Sequence, residues 1–236
     1  MWGNKKKLVS AERYYNKIAA EYDDKLSIEK DTIIRNEIRE YLTGNLSSGT
    51  VLDFGGGTGL DLKWLVDSEY DVVFCEPAEM MRAKALALTE NWPAANKPKF
   101  VDLADSNFAN WTAENNPFDA KINAVLANFG VINYIEDLEH FFSIFEAITE
   151  KDAQLFINLL SIPPKIKYSK LWKNVLKAIV KRRTIRAGSS FEDITHETIL
   201  YSISDIEKAA KTKFKLTNTK ILGGNTDFTL LHFTKI

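Results

Sequence analysis

Short apolar runs alternate along the chain with segments in which apolar residues recur every three or four positions. The runs of strand length cover residues 51–54, 71–75, 99–101, 120–127 and 153–160. Helical spacing is found between them, over 60–67, 79–90 and 137–149. Strands that alternate with helices in this way are typical of a parallel sheet covered on both sides. The pattern therefore predicts an α/β fold.

The two ends of the chain extend this pattern. Residues 215–222 and 227–236 alternate like strands around a Gly-Gly-Asn turn, which predicts a terminal hairpin. A short helix precedes the hairpin, with Ser204 as its expected N-cap. Residues 8–43 have a helical pattern, and residues 164–200 separate the fifth strand from the last helix. Both extra segments are expected to form a cap over the carboxyl ends of the strands, where ligands bind.

The composition is that of a soluble globular protein. The chain has 236 residues, of which 45% are hydrophobic and 27% charged, and its 31 basic and 32 acidic residues give a net charge of -1. The single cysteine, Cys75, excludes an intrachain disulfide. The basic start does not lead into an apolar segment, and no apolar run reaches the roughly 18 residues of a membrane-spanning helix. A cytoplasmic protein is expected.

The near-zero net charge is a sum over two unlike regions. Residues 165–186 contain nine basic and no acidic residues, so the rest of the chain carries 22 basic and 32 acidic residues. Apolar residues recur at helical spacing over 171–180, which predicts a basic amphipathic helix. Such a helix could contact an anionic membrane surface, receive an anionic or lipid-linked substrate, or only expose a solvated lysine face. A nucleic-acid partner is not expected, because stacking aromatic residues are not interleaved with the charge.

A glycine-rich turn follows the first predicted strand. Asp53 ends the strand, and Gly55, Gly57 and Gly59 follow at alternate positions. The dinucleotide fingerprint G-x-G-x-x-G would need glycine at position 60, which is leucine, and no Gly-Lys-Ser/Thr follows as in a nucleoside triphosphate loop. What remains is an acidic strand end followed by G-x-G-x-G, a turn in which the backbone can approach a ligand closely.

This turn resembles motif I of the class I S-adenosylmethionine-dependent methyltransferases, and further segments resemble that family over 14–160 and 201–236. Glu76 and Pro77 with Met81 resemble the second-strand signature, which implies ribose binding by the carboxylate and contact of Met81 with the adenine face. Asp102 and Leu103 resemble the third-strand site for the adenine edge. Acidic residues at the ends of successive parallel strands would share one crevice.

Two more segments carry the resemblance. Residues 118–130 resemble motif IV, which implies that Asn128 faces the transferable methyl group. Residues 14–23 resemble the N-terminal signature of small-molecule members, with Tyr22 near the carboxylate of the cofactor and Asp53 balancing its ammonium.

The resemblance implies a Rossmann-like, seven-stranded, mostly parallel sheet with a C-terminal antiparallel hairpin, helices on both faces and a helical cap. A single domain over 1–236 would then consist of an N-terminal helical cap, a cofactor-binding core, an inserted cap segment, and the last helix with the hairpin. The boundaries of these parts are expected at 1–45, 46–162, 163–200 and 201–236.

Methyl transfer from S-adenosylmethionine to an oxygen, nitrogen or carbon of a small-molecule acceptor is the expected activity, with S-adenosylhomocysteine as product and no metal. A catalytically silent partner or sensor that binds the same cofactor is the alternative, and a nicotinamide-dependent oxidoreductase is a second one. The acceptor and the oligomeric state stay open at this point.

Three histidines are candidates for the general base that deprotonates an acceptor. His140 is expected to pack or lie at the surface of its helix, and His232 to be structural in the last strand. His196 is the better candidate, since Asp193 and Glu197 lie beside it in the sequence.

Asn133 and Tyr134 follow motif IV and could either orient a substrate or form a polar turn.

Overall fold

A computed structural model describes residues 7–26, 29–119, 121–161, 185–224 and 228–236. The strands are β1 (Lys7–Leu8), β2 (Thr50–Phe54), β3 (Asp71–Cys75), β4 (Lys99–Phe100), β5 (Ile122–Ala127), β6 (Thr149–Leu160), β7 (Ile185–Phe191), β8 (Ile194–Leu200), β9 (Phe214–Ile221) and β10 (Phe228–Lys235). The helices are α1 (Ala11–Leu26), α2 (Glu29–Asn45), α3 (Leu62–Asp67), α4 (Glu79–Thr89), α5 (Leu138–Ile148) and α6 (Ile203–Ala210). The helical and strand patterns in the sequence therefore predicted the type of each of these elements outside β1, β7 and β8.

Seven strands form the central sheet in the order β4-β3-β2-β5-β6-β10-β9. Strands β2 to β6 pair in parallel, and β10 runs antiparallel between β6 and β9. Parallel strands need helices as crossovers, and those helices bury the apolar side chains of both sheet faces. The predicted Rossmann-like sheet with a terminal antiparallel hairpin is confirmed.

The helices cover the sheet with apolar faces of the expected spacing. Helix α5 buries five residues in one core cluster, and α2 buries Ile34, Ile38 and Leu42 in another. Helix α5 begins where Asp137 accepts a hydrogen bond from the backbone N–H of His140 at 2.8 Å. The predicted cap of α6 is wrong by two residues. Ser202, not Ser204, accepts the backbone N–H of Asp205, because the helix begins at Ile203.

A second, three-stranded sheet lies outside the central one. Strands β7 and β8 form an antiparallel hairpin, and β1 pairs in parallel with β8. The hairpin occupies 185–200, the end of the predicted cap segment, and it includes Arg186 in a strand rather than in the predicted basic helix. The remaining part of that helix, residues 165–184, lies outside the described residues.

Helix α1 connects the small sheet to the central domain. Tyr14, Ile18 and Met81 lie in one buried cluster that joins α1 to α4 and β8. Lys17 pairs with Glu192 and Asp193 at the hairpin turn, so the salt bridges and the apolar cluster hold α1 from the same side. The position of α1 is therefore fixed by packing as well as by charge.

Candidate active site

A cavity of about 630 Å³ lies at the carboxyl ends of the central strands. The turns after β2, β3 and β5 line it, together with α1, residue 35 of α2, the loop 106–109 and the segment 134–140. In an open parallel sheet this edge is where ligands bind, because the strand ends point loops and backbone N–H groups toward one crevice.

The glycine turn brings the backbone close to the cavity. Gly55 and Gly57 have φ values of 71° and 61°, in the left-handed region that favours glycine. A Cβ at Gly56 would lie 2.3 Å from the ring of Phe74 and 2.5 Å from the carboxylate of Asp53, so an alanine there would clash. A Cβ at Gly57 would meet only the ring of Tyr22, at 3.9 Å. The turn therefore leaves free space beside Gly57, while the N–H groups of Gly55 and Gly56 donate to the carbonyl of Cys75.

Asp53 lies beneath this turn with both of its carboxylate oxygens buried. Neither oxygen has a hydrogen-bond partner within the part of the chain that is described. Burial, together with the nearby charge of Asp61, raises the pKa of the Asp53 carboxyl well above its usual range. Buried polar groups without partners are rare in folded proteins. A cationic group of a ligand would supply the missing partner, which fits the ammonium of a methionine moiety.

Glu76 ends β3 and is only 7% exposed. Its carboxylate accepts the backbone N–H of Gly57 at 2.9 Å and that of Ala78 at 2.7 Å. Burial raises the pKa of Glu76 to about 7, although both hydrogen bonds act in the opposite direction. The side chain lines the cavity beside Pro77 and Met81. A carboxylate in this position can accept hydrogen bonds from a diol.

Two residues that the motifs did not indicate, Asp61 and Arg35, complete the polar wall of the cavity. Asp61 forms an ion pair with Arg35 and accepts hydrogen bonds from Trp64 Nε1 at 2.7 Å and from Asn128 Nδ2 at 2.8 Å. Asn158 Nδ2 donates to Asn128 Oδ1 at 3.0 Å.

Arg35 comes from α2, far from the glycine turn in sequence, and its guanidinium stacks over the ring of Phe129 at 4.6 Å from the ring centre. It is the only lysine or arginine among the described residues that line the cavity. The sequence alone does not point to Arg35, because its place at the cavity depends on the packing of the Ile34–Ile38–Leu42 face of α2 on the sheet.

Several predicted cofactor residues lie where the motifs imply. Gly55, Gly57, Glu76, Met81 and Asn128 all line the cavity.

Tyr22 lines the cavity as well. Burial raises the pKa of its phenol, so the hydroxyl stays neutral.

Asp53, Gly59, Asp102 and Leu103 do not line the cavity. Asp102 and Leu103 are exposed, and the backbone carbonyl of Asp102 accepts the N–H of Asp105 at 3.0 Å in a 3-10 turn. Asn107 and Phe108, a few residues further on, line the cavity instead.

The two predicted catalytic residues have different surroundings. Tyr134 lines the cavity, and its hydroxyl lies 2.7 Å from that of Tyr15. His196 is 2% exposed and does not line the cavity; its ring packs 4.0 Å from that of Tyr14 between ring centres. Neither acidic neighbour in the sequence pairs with His196, since Asp193 forms an ion pair with Lys17 and Glu197 forms one with Arg186.

His140 lies in the first turn of α5. Its ring lines the cavity and contacts that of Phe108 at 5.2 Å between centres. No hydrogen bond to the ring nitrogens is formed within the described ranges. The sequence predicted that this histidine packs or lies at the surface of its helix, because its place in the helix does not show that α5 begins at the cavity.

Neither a metal site nor a membrane span is found in what the structure describes. The histidine, cysteine and carboxylate side chains of the described residues form no group that could hold a metal ion. Each described helix is too short or too polar to cross a bilayer.

Comparisons with known proteins agree with this fold. A family model described as "Methyltransferase domain" matches residues 28–215. Among solved structures, an S-adenosylmethionine-dependent methyltransferase from Clostridium acetobutylicum is 16% identical with a TM-score of 0.62, and the match covers 94% of this chain and 98% of that chain. No curated protein matches the sequence.

Two ligand-bound structures are similar to the same extent. The Burkholderia thailandensis 1,6-didemethyltoxoflavin-N1-methyltransferase, with its substrate and S-adenosylhomocysteine, is 12% identical with a TM-score of 0.64, and covers 97% of this chain and 91% of that chain. The glycopeptide N-methyltransferase MtfA with S-adenosylmethionine is 15% identical with a TM-score of 0.60, and covers 85% of this chain and 93% of that chain.

The sheet order, the glycine turn and these structural matches define the class: the fold is that of the class I S-adenosylmethionine-dependent methyltransferases. Since the family model matches most of the sequence, the chain belongs to the methyltransferase-domain family. The predicted family and the predicted enzyme class are therefore confirmed.

Proposed function

We propose that the protein transfers the methyl group of S-adenosylmethionine to an oxygen, nitrogen or carbon atom of a small-molecule acceptor, with S-adenosylhomocysteine as the product. The observation that carries this proposal is the pair of unpartnered Asp53 oxygens beneath a glycine turn that lines the cavity. These two features suit a ligand that carries both an ammonium and a carboxylate.

The cofactor would lie along the glycine turn. Asp53 would balance its ammonium, while the amides of the turn and Tyr22 would face its carboxylate. The cation of Arg35, whose ion pair with Asp61 leaves it at the cavity wall, would add attraction for the same carboxylate.

The nucleoside would extend toward β3. Glu76 would accept the ribose hydroxyls, and Pro77 and Met81 would contact the adenine face. Asp102 and Leu103 would reach the adenine edge only if the 3-10 turn that now exposes them moves toward the cavity.

When bound, the cofactor supplies an electrophilic methyl group on a sulfonium, so the reaction depends mainly on placing the acceptor in line with it. Asn128 is held by Asp61 and Asn158, which fixes its amide at the cavity wall. Tyr134 and His140 line the region beyond Asn128. Tyr134 would orient the acceptor, and His140 would take up its proton. His196 could take up the proton only from outside the cavity wall.

The silent-sensor alternative has less support than the enzyme. A cap that fills the space beyond Asn128 would favour a binding module, whereas the cavity continues past Asn128 to residues 134–140. We therefore favour catalysis on a small-molecule acceptor in the cytoplasm. Residues 165–184, with their basic charge, remain the candidate site for an anionic or lipid-linked part of that acceptor.

Calorimetry with S-adenosylhomocysteine tests the proposal. The protein should bind this product and not NADH, and Glu76→Ala should weaken binding at least tenfold, because two hydrogen bonds to a buried charge are worth about 1.5 to 3 kcal/mol each. Glu79→Ala is the matched control, since Glu79 is an exposed carboxylate three residues away that does not line the cavity. Binding of NADH but not of S-adenosylhomocysteine would overturn the assignment, and equal affinities of the two variants would remove the role of Glu76.

A further inference from the structure

Three tyrosine rings stand at near right angles in the same cavity. Tyr15 lies between Tyr22 and Tyr134, with ring centres 5.9 Å and 5.7 Å apart and interplanar angles of 76° and 81°. All three residues line the cavity. Perpendicular rings turn their π faces to different sides of one space, an arrangement that suits a compact cation better than a flat apolar group.

Two of the rings also pack on His196, with ring centres 5.8 Å from Tyr15 and 5.2 Å from Tyr134. The hydroxyls of Tyr15 and Tyr134 bond to each other, which fixes both rings. Burial raises the pKa of Tyr15 well above its usual value, so its phenol stays neutral. We call Tyr15, Tyr22 and Tyr134 the tyrosine box.

The charge around the tyrosine box is negative. Glu136 and Asp137, which follow Tyr134 in the sequence, line the cavity, as does Glu12 of α1. Among the described residues that line the cavity, Arg35 is the only lysine or arginine, and it is already paired with Asp61. Arg186 compensates Glu136 from outside the cavity lining. An excess of carboxylates attracts cations and discourages anionic acceptors.

On the basis of the proposed methyl transfer, we propose that the tyrosine box selects an amine acceptor and holds its ammonium form, which makes the protein an N-methyltransferase of small alkylamines. The deprotonated nitrogen uses its lone pair to form the N–C bond while the C–S bond breaks and its electrons remain on sulfur. The positive charge thereby passes from sulfur to nitrogen, and the product ammonium stays beside the π faces.

An amine that arrives protonated must first lose one proton. His140 lines the same cavity, and its ring nitrogens have no hydrogen-bond partner within the described ranges. The proton would pass from the ammonium to a ring nitrogen of His140 and from there to water. The proton balance therefore needs no further reactant.

The sulfonium of the cofactor is the other cation that the rings could serve. The position of Tyr134 argues for the acceptor, because Tyr134 ends the 3-10 helix Val131–Tyr134, which leads away from Asn128 toward Asp137 and His140. Glu136 and Asp137 follow Tyr134 directly in the chain, on the side that leads away from Asn128.

A pair of probes with one shape and different charge tests the inference. Protein saturated with S-adenosylhomocysteine is titrated by calorimetry with choline and with its neutral isostere 3,3-dimethyl-1-butanol. Choline should bind roughly tenfold more tightly than the isostere, a factor within the range of cation–π contacts. Tyr15→Leu and Tyr134→Leu should abolish the preference, whereas Tyr15→Phe and Tyr134→Phe should keep it, because phenylalanine retains the π face.

The outcomes separate this inference from the proposed function. If the wild-type protein fails to bind S-adenosylhomocysteine, the proposed function fails. If it binds that product but does not prefer choline, or if the preference survives both leucine variants, the tyrosine box does not select an amine. A loss of affinity for S-adenosylmethionine alone, with choline binding unchanged, would assign the rings to the sulfonium and overturn the inference. Binding of S-adenosylhomocysteine by each leucine variant verifies folding, and Tyr134→Leu decides if Tyr15→Leu does not fold.

Discussion

Two clusters of polar side chains, each built around buried residues, differ in whether their hydrogen bonds are complete. The closed cluster consists of Tyr41, Gln154, Asn218 and His232, and it joins α2 to β6, β9 and β10. The open cluster consists of Arg35, Asp53, Asp61, Glu76 and Asn128, and it borders the cavity.

The closed cluster satisfies its central histidine entirely. Gln154 donates to the carbonyl of Asn45, so its oxygen accepts from His232 Nε2 at 2.9 Å. The other ring nitrogen, Nδ1, then accepts from the Tyr41 hydroxyl at 3.0 Å, and Tyr41 accepts from Asn218 at 2.8 Å. Every donor has an acceptor, and the network requires a neutral His232. This histidine is therefore structural.

The hydrogen bonds of the open cluster are incomplete, since both carboxylate oxygens of Asp53 have no partner in the described residues. The side-chain oxygen of Asn158, which is bonded to Asn128 through its amide nitrogen, has none either. Leaving a buried polar group unpaired costs free energy that folding gains elsewhere. The comparison teaches that buried polarity in this protein serves two purposes: the closed cluster stabilises the fold, and the open cluster keeps binding capacity for a ligand.

The largest expected effect concerns the one ion pair within the open cluster. Arg35→Met should lower the free energy of unfolding by about 3 to 5 kcal/mol, because it leaves the Asp61 carboxylate buried without its cation. Urea denaturation measures the change. Lys63→Met is the control, since the Lys63–Asp67 pair is exposed and should contribute less than about 0.5 kcal/mol. Equal costs of the two substitutions would show that Asp61 does not depend on Arg35.

The second effect is a dependence of stability on pH that has opposite signs in the two clusters. Burial raises the pKa of Glu76 to about 7, so its contribution to stability is present below the unfolded pKa and is lost as the pH rises toward 7. Burial lowers the pKa of His232, so the closed cluster loses stability as the pH falls below the unfolded pKa of about 6.5.

Glu76→Gln isolates the first of these contributions. Relative to this variant, the wild-type protein should lose roughly 2 to 3 kcal/mol of unfolding free energy between pH 5 and pH 8. Urea titrations of both proteins at the two pH values give the difference, in which the contribution of His232 cancels. A constant difference would show that Glu76 titrates normally in the folded state.

The third effect separates binding from stability. Asp53→Asn should weaken binding of S-adenosylhomocysteine roughly tenfold, because the amide cannot balance an ammonium, a loss of about 1.5 kcal/mol. The unfolding free energy should not decrease, since the buried carboxylate has no partner to lose in the described part of the chain. Calorimetry and urea denaturation measure the two quantities on the same sample. A destabilised variant with unchanged affinity would place Asp53 among the structural residues.

The sequence predicted the part of the open cluster that lies beside strand ends. Asp53 and Glu76 each follow an apolar run, and parallel strands bring their ends together. Arg35 could not be predicted, because it reaches the cavity only through the packing of α2 on the sheet. The same holds for His140, whose role depends on where α5 begins. Functional residues that reach the site only through tertiary packing have no recognisable pattern in the local sequence.

The β7–β8 hairpin shows the same limit for the fold. Strand β7 has the sequence IRAGSSF and is mostly exposed, so it lacks the alternation of apolar and polar residues that indicates a strand. Its backbone pairs with β8, which contributes the buried Ile194 and Ile199. The partner strand, rather than the strand's own side chains, stabilises it.

The smallest effect tests the closed cluster itself. Tyr41→Phe removes one hydroxyl, which leaves Nδ1 of His232 without its donor, and should lower the unfolding free energy by about 1 kcal/mol. Affinity for S-adenosylhomocysteine should not change, because Tyr41 does not line the cavity. Asn218→Ala is the control: Asn218 is exposed, so water can replace it, and the substitution should cost much less. If Tyr41→Phe weakened binding as strongly as Asp53→Asn, the two clusters would be coupled, and the separation between a stabilising cluster and a binding cluster would be wrong.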